Sequence, residues 1–152
     1  MGLNMKLNLG SGLNPLAGYI NIDNRPEVKP DAVCDVQQGL PYDDNSIDEV
    51  RAHDFLEHIE TGKTISVIEE IYRVLKPGGR FSISIPSTDG RGAFQDPTHK
   101  SFWNINTWLY FTDDRYRELY GIKADFEAFL SDVTTDWDLK IVHTRGDLYA
   151  VK

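Results

Sequence analysis

Residues 5–12 read MKLNLGSG. The first five of these residues alternate between apolar and polar side chains, which is typical of a β-strand, and the glycine-rich turn Gly10-Ser11-Gly12 follows directly. Because glycine has no side chain, such a turn lets the backbone approach a ligand closely. Asn14 and Pro15 then have the residue types of a helix N-cap and a first helical position. The stretch predicts a strand, a ligand-binding turn and a helix.

The rest of the chain alternates between short apolar runs and one clear helical pattern, which indicates an α/β sheet. A helix is predicted over residues 64–75, where apolar side chains recur at helical spacing before the terminating Lys76-Pro77-Gly78-Gly79. Further strands are predicted at residues 19–22, 32–36, 46–53 and 80–85, with a C-terminal hairpin formed by residues 139–144 and 148–151 around Arg145-Gly146-Asp147. We therefore expect a doubly wound, Rossmann-like, mostly parallel sheet of seven strands that ends in an antiparallel hairpin strand.

The length of 152 residues predicts a single domain over residues 1–152. Within it, residues 87–135 are predicted to form a loop-rich insertion, whose aromatic side chains include Phe94, Phe102, Trp103, Trp108, Tyr110, Phe111, Tyr116 and Tyr120. Loops beyond the carboxyl ends of parallel strands usually build the binding site, so this insertion is the candidate lid and substrate pocket. Its aromatic residues could instead pack a small satellite core or form the face of a homodimer.

Composition excludes several classes of function. A net charge of −8 disfavours nucleic acid as a partner, because the field of the protein repels polyanions. No apolar run approaches the roughly 20 residues of a membrane span, and no signal peptide is evident, so no membrane association and a cytoplasmic location are expected. Cys34 is the only cysteine, and no Cys and His cluster has zinc spacing, so no metal site is predicted.

Asp23 follows the second predicted strand, where a carboxylate can accept hydrogen bonds from both ribose hydroxyls of a nucleoside. It lies 13 positions after Gly10, against roughly 20 in a dinucleotide-binding fold. Pro15 also stands where that fold requires its third glycine. A nicotinamide-dependent oxidoreductase is therefore disfavoured, and the helix between the first two strands can be little more than a turn.

Five segments, in this order, resemble the class I S-adenosylmethionine-dependent methyltransferases of the methyltransferase type 11 group. They are LNLGSG (7–12), GYINID (18–23), CDVQQGLPYDDNSIDEV (34–50), HDFLEHI (53–59) and EEIYRVLKPGGRFSISIP (69–86). The resemblance implies S-adenosylmethionine as cofactor and S-adenosylhomocysteine as product. It implies that the cofactor-binding residues are Asn8, Gly10, Ser11, Gly12, Asp23, Asp35, Val36 and His53.

Within that set, the resemblance assigns the first glycine-rich turn to the methionine end of the cofactor, Asp23 to the ribose, and Asp35 with Val36 to the adenine. His53 would lie beside the sulfonium. Two departures from the family pattern are evident: Asn8 stands where the family usually has an acid, and Asn14 stands where it has a third glycine. The loss of an acid removes one ionic partner of the cofactor amino group.

Methyl transfer is an in-line displacement that needs mainly a positioned acceptor and the exclusion of water. A hydroxyl acceptor would benefit from a base, and the candidate catalytic residues are His99, oriented by Asp96, and His53. His58 is expected to fasten local structure, and His143 is assigned no function. The expected acceptor is a small metabolite or a sugar unit. The alternative is a catalytically degenerate module that binds the cofactor and acts through a partner.

Overall fold

The computed structural model describes residues 2–152, which form one seven-stranded sheet in the order β3-β2-β1-β4-β5-β7-β6. The strands are β1 (Lys6–Leu9), β2 (Ile20–Asp23), β3 (Ala32–Val33), β4 (Ile47–His53), β5 (Leu75–Pro86), β6 (Phe126–Asp136) and β7 (Ile141–Ala150). All pairs from β3 to β5 are parallel, and β7 is antiparallel to both of its neighbours. The structure confirms the predicted seven-stranded, Rossmann-like, mostly parallel sheet.

Three α-helices accompany the sheet: α1 (Thr64–Val74), α2 (Gly92–Gln95) and α3 (Asp114–Tyr120). Short 3-10 helices occur at Pro26–Val28, Val36–Gln38, Leu56–His58, Thr61–Lys63 and Ile105–Phe111. Helix α1 agrees with the prediction to within one residue and buries the side chains Val67, Ile68, Ile71 and Val74. Among residues 2–152, no helix has the length and apolar character needed to cross a membrane.

The apolar core lies on one face of the sheet, beneath α1 and the 3-10 helix Ile105–Phe111. Leu7, Val50, Phe81 and Leu148 are adjacent across four strands and are fully buried. The Phe81 ring lies 6.0 Å from that of Trp108, which is also buried. Several aromatic residues of the predicted insertion, including Trp103 and Phe111, therefore complete the main core.

The opposite face of the sheet is polar. Successive rows of paired side chains run across it: Lys6 beside Glu49 and Arg80, Asn8 beside Arg51 and Ser82, and His53 beside Ser84 and Arg145. Right-handed crossovers would carry the β1–β2 and β2–β3 connections over this face, and neither connection contains an α-helix. The helix predicted to begin at Asn14 and Pro15 is therefore wrong, because residues 13–19 form only irregular chain and turns.

The C-terminal part of the sheet differs from the prediction. Arg145-Gly146-Asp147 is not a turn but the middle of β7, and the hairpin turn lies between β6 and β7. Gly146 has a φ of 145°, and a Cβ atom there would lie 2.0 Å from the carbonyl oxygen of Phe129. The close approach of β6, not a change of direction, requires this glycine. Residues 126–135, predicted as part of the loop-rich insertion, belong to β6.

Candidate functional site

A cavity of about 470 Å³ opens at the carboxyl edge of the parallel strands, within the usual size range of small-ligand sites. Segments that follow β1, β2, β3, β4 and β5 all contribute to it. The lining residues are Gly10, Ile22, Asp23, Asn24, Arg25, Cys34, Asp35, Val36, Gln37, Asp54, Phe55, His58, Ile59, Thr98 and Lys100. This edge, where the strand order reverses direction at β1, is where open α/β sheets bind ligands.

The turn after β1 is shaped by its contact with Phe55. Gly10 has a φ of 63°, and a Cβ atom on it would lie 2.4 Å from Cδ2 of Phe55. Glycine therefore serves two purposes here, because it permits the left-handed backbone and leaves space for the aromatic ring. The backbone N–H of Ser11 donates to the carbonyl oxygen of Ile22 at 3.0 Å, which fixes the turn beside the end of β2.

Asp23 occupies the end of β2 with its carboxylate at the cavity. Its Oδ2 accepts a hydrogen bond from the backbone N–H of Gly12 at 2.9 Å, and its Oδ1 accepts from the backbone N–H of Arg25 at 3.0 Å. Burial raises the pKa of Asp23, but the hydrogen bonds from Arg25 and Gly12 outweigh burial, so the pKa lies below its usual value. The carboxylate is therefore ionised at neutral pH, and its oxygens also accept hydrogen bonds from the Arg25 guanidinium at 3.1 and 3.4 Å.

Asp35 and Val36, which the family resemblance assigned to the adenine, line the cavity on the side of β3. Oδ1 of Asp35 accepts from the backbone N–H of Gln37 at 3.0 Å and caps the 3-10 helix Val36–Gln38. Val36 is buried and, with Ile22 and Ile59, gives this part of the cavity an apolar wall. An apolar wall beside exposed backbone groups suits a heteroaromatic ring.

The structure brings Gly10, Asp23, Asp35 and Val36 together at one cavity, while four other predicted cofactor residues are absent from its lining. Those four are Asn8, Ser11, Gly12 and His53. Asn8 is buried in a network of side chains: its Nδ2 donates to Oδ1 of Asn21 at 2.9 Å, and its Oδ1 accepts from Arg51 at 3.0 Å. Ser11 is buried with no hydrogen-bond partner for its hydroxyl, and Gly12 contributes through its bond to Asp23.

His53 lies on the polar face of the sheet. Its Nε2 is 3.0 Å from Oγ of Ser82. Burial, together with the positive charge of Arg51, lowers the pKa of His53 to about 4. The imidazole is therefore neutral at physiological pH but a weak base, which favours a structural contact with Ser82 over proton abstraction.

His99 and Asp96, the other predicted catalytic residues, lie beside His58, which the sequence was expected to use only for local structure. Nδ1 of His99 is 2.9 Å from the carbonyl oxygen of Ala93, and its Nε2 is 3.5 Å from Oδ2 of Asp96. The imidazole ring of His58 is 5.2 Å from that of His99, edge to face. His58 lines the cavity, and its side chain makes no capping hydrogen bond to the 3-10 helix Leu56–His58.

Glu57 lies next to His58 and His99. It is 2% exposed, and its Oε2 has no hydrogen-bond partner among the described residues. Burial raises the pKa of Glu57 to about 8. Neither the buried acid nor its nearness to His99, 42 positions later, is apparent from local sequence patterns.

A second cavity, of about 810 Å³, lies farther along the same edge, between the segment after β5 and the β6–β7 turn. Its lining residues are Thr88, Asp89, Gly90, Arg91, Phe94, Gln95, Thr134, Trp137, Lys140 and Val142. His143, next to Val142, has its Nε2 3.0 Å from Oδ1 of Asp54, which lines the first cavity. The Asp54–His143 contact thus links the segment after β4 to the start of β7, although the sequence assigned His143 no function. The antiparallel direction of β7 places His143 next to Asp54.

The fold agrees with comparisons to known proteins. Residues 12–83 match the model of a methyltransferase domain family. No curated protein sequence matches the chain significantly.

Solved structures match nearly the whole chain at low sequence identity. One comes from the complex between the Haloferax volcanii Trm112 methyltransferase activator and a methyltransferase, with a TM-score of 0.71, 15% identity, and 99% of this chain and 83% of that one covered. An S-adenosylmethionine-dependent methyltransferase from Methanosarcina mazei matches with a TM-score of 0.67 and 15% identity. The match covers 99% of this chain and 94% of that one. A third match is the 1,6-didemethyltoxoflavin-N1-methyltransferase of Burkholderia thailandensis, with 1,6-didemethyltoxoflavin and S-adenosylhomocysteine bound. Its TM-score is 0.63 and its identity 15%, and the match covers 97% of this chain and 71% of that one.

Proposed function

We propose that this chain, whose residues 12–83 match a methyltransferase domain family and which has the class I fold, is an S-adenosylmethionine-dependent methyltransferase that methylates a small-molecule or sugar-type acceptor. The observation that carries this proposal is the convergence of the Gly10 turn, the ionised Asp23 and the Asp35–Val36 segment on one cavity at the carboxyl edge of the sheet. A glycine turn, a ribose-binding carboxylate and an apolar wall are the three features that an adenosine-containing ligand needs there.

The residues of the first cavity fit this cofactor. The Gly10 turn would hold its methionine end, Asp23 would accept hydrogen bonds from the ribose hydroxyls, and Val36 with Asp35 would contact the adenine. When bound, S-adenosylmethionine supplies a methyl group activated by its sulfonium. The acceptor atom forms its bond to the methyl carbon as the carbon–sulfur bond breaks, and the acceptor releases a proton. The chain has to orient the acceptor in line and exclude water.

The second cavity supports a small acceptor with anionic or polar groups. Arg91 and Lys140 line it and have no ion-pair partner among residues 2–152, so two cations face this space in a protein of net charge −8. Phe94 and Trp137, which are 62% and 81% exposed, offer aromatic faces to a ring. The Burkholderia thailandensis neighbour, with 1,6-didemethyltoxoflavin bound, provides a precedent on the same fold.

The test has two stages. Calorimetry with S-adenosylhomocysteine should give one binding site per chain, and incubation with methyl-labelled S-adenosylmethionine and pools of small metabolites should transfer label to a low-molecular-weight product. An Arg91→Ala, Lys140→Ala double variant should keep cofactor affinity and lose transfer. Absence of binding to either cofactor form would overturn the proposal.

One observation favours a second candidate, a cofactor-binding module without turnover. Asn8 has no charge to offer the cofactor ammonium, and both ends of its amide are engaged with Asn21 and Arg51. Binding of S-adenosylhomocysteine by the wild type without label transfer to any pool would favour that candidate.

A further inference from the structure

Three potential metal ligands meet where the segments after β4 and β5 come together. Glu57 and His58 belong to the 3-10 helix Leu56–His58, and His99 belongs to the loop after α2. One ligand atom from each of these side chains lies within 4.8 Å of the other two. Backbone hydrogen bonds from Lys100 and Ser101 to the carbonyl oxygen of Glu57 hold the two segments in register, at 2.8 and 3.1 Å.

His99 has the geometry of a metal ligand whose orientation is already fixed. Its Nδ1 lies 2.9 Å from the carbonyl oxygen of Ala93, and a carbonyl can only accept, so Nδ1 carries the proton. The lone pair of the neutral ring is therefore on Nε2. A second nitrogen fixed by a carbonyl is the usual outer-shell arrangement of metal-binding histidines. The side chain is 6% exposed, so the ring has little freedom to turn away.

Glu57 supplies an independent observation, since a buried carboxylate oxygen without a partner is rare in folded proteins. Its Oε2 makes no hydrogen bond in the described part of the chain, and its Oε1 lies 3.9 Å from Nε2 of His58, beyond hydrogen-bond distance. Removing a carboxylate oxygen from water without a partner is unfavourable, and a cation bound at this point would offset that cost.

We propose that Glu57, His58 and His99 bind one divalent transition-metal ion, such as Zn²⁺, at the side of the cofactor cavity. Two imidazoles and one carboxylate form a ligand set that suits Zn²⁺ and leaves coordination positions open. Bonds of about 2.0–2.2 Å require ligand atoms within about 4 Å of one another, so the ligands must close slightly on the ion. His58, with 41% of its side chain exposed, is free to make that movement.

The location suggests what the open positions bind. His58 lines the first cavity, and so do Thr98 and Lys100 on either side of His99. An ion at this point would face the space next to the cofactor, where it could hold a hydroxyl or carboxylate oxygen of the acceptor. Asp96, whose Oδ2 is 3.5 Å from Nε2 of His99, is close enough to become a fourth ligand.

The test titrates the full chain with Zn²⁺ and with Co²⁺ in a non-chelating buffer, and calorimetry measures the binding of each ion. Cofactor and acceptor are left out, so the result does not depend on the proposed function. The wild type should bind one ion per chain. Glu57→Gln and His99→Ala should each weaken that binding at least tenfold, and so should His58→Ala, whose exposed site makes misfolding a minor concern. His143→Ala, the matched control outside the cluster, should stay within twofold of the wild type.

Circular dichroism of each variant separates loss of ligand from loss of fold. The proposal fails if the wild type shows no saturable binding of either ion. It also fails if folded His58→Ala binds the ion as tightly as the wild type, because His58 would then not be a ligand.

Discussion

The substitution Asp23→Asn tests the cofactor assignment most directly, because it keeps the shape of the side chain and removes its charge. Asp23 is 6% exposed, and its oxygens already accept hydrogen bonds from the backbone N–H groups of Gly12 and Arg25. The asparagine Oδ1 can keep one of these bonds, so the fold should survive. Its NH₂ group cannot accept a hydrogen bond from a ribose hydroxyl.

The expected loss of affinity follows from the two ribose hydroxyls. A hydrogen bond to a charged group contributes about 1.5–3 kcal/mol, and a neutral one about 0.5–1.5 kcal/mol. The charge therefore accounts for about 1 kcal/mol per hydroxyl, and two hydroxyls give about 2 kcal/mol. Since about 1.4 kcal/mol corresponds to a factor of ten, the Kd for S-adenosylhomocysteine should rise about 30-fold. Asp23→Ala, which lacks both oxygens, should abolish detectable binding.

Isothermal calorimetry with S-adenosylhomocysteine measures this change. Asp31→Asn is the matched control, because Asp31 also accepts a backbone hydrogen bond, from Asn21 at 2.8 Å, but does not line the cavity. Its Kd should stay within twofold of the wild type. A change below threefold in folded Asp23→Asn, or equal losses in both variants, would refute the assignment of Asp23 to the ribose.

Three further predictions concern stability. Gly146→Ala should lower the free energy of unfolding in urea by about 3 kcal/mol or more, since its new methyl group would meet the backbone of β6. Gly62→Ala, with nothing within 4 Å, should change it by under about 1 kcal/mol, and similar losses in both would contradict the close approach. Asn8→Asp should lower the free energy of thermal unfolding by about 1–3 kcal/mol, because a carboxylate oxygen would face Oδ1 of Asn21. A more stable variant would disprove the hydrogen bond between Asn8 and Asn21. The lowered pKa of His53, about 4, means that its stabilising effect is present above pH 6.5 and is lost as the pH falls towards 4. Denaturation curves between pH 4 and 7 should show that the free energy of unfolding of His53→Gln does not fall in this way. If the wild type and the variant lose stability in parallel as the pH falls, the burial of a neutral ring is contradicted.

Elements whose signal is local were predictable from sequence. Strand β1 with its glycine turn and helix α1 depend on alternation, spacing and terminating residues that lie within a few positions of each other. Gly146 is the opposite case. A glycine between charged residues normally indicates a turn, but here its conformation is required by the carbonyl oxygen of Phe129 on a strand that the sequence did not reveal. Strand β6 itself lacks a clear apolar pattern because, at the edge of the sheet, much of it is exposed.

The candidate site was predictable only where a residue's role depends on its own strand. Asp23 and Gly10 lie at strand ends, so the parallel topology alone brings them to one edge. Glu57, His58 and His99 come together through packing between two loops, and His143 meets Asp54 through the antiparallel direction of β7. Such contacts join residues 41 to 89 positions apart and leave no periodic pattern in the chain.

The departure at Asn8 follows from its neighbours in the sheet. The row that contains it carries Asn21, Asn8 and Arg51 side by side, and both asparagines are buried. Asn21 is fixed by bonds to Leu16 and Asp31, so its Oδ1 faces Asn8 and requires a donor there. An amide can donate to Asn21 and accept from Arg51 at once, and an ionised acid cannot. The hydrogen bonds to Asn21 and Arg51 thus account for an amide at position 8, and they leave Asp23 as the main ionic group that β1 and β2 offer to the proposed cofactor site.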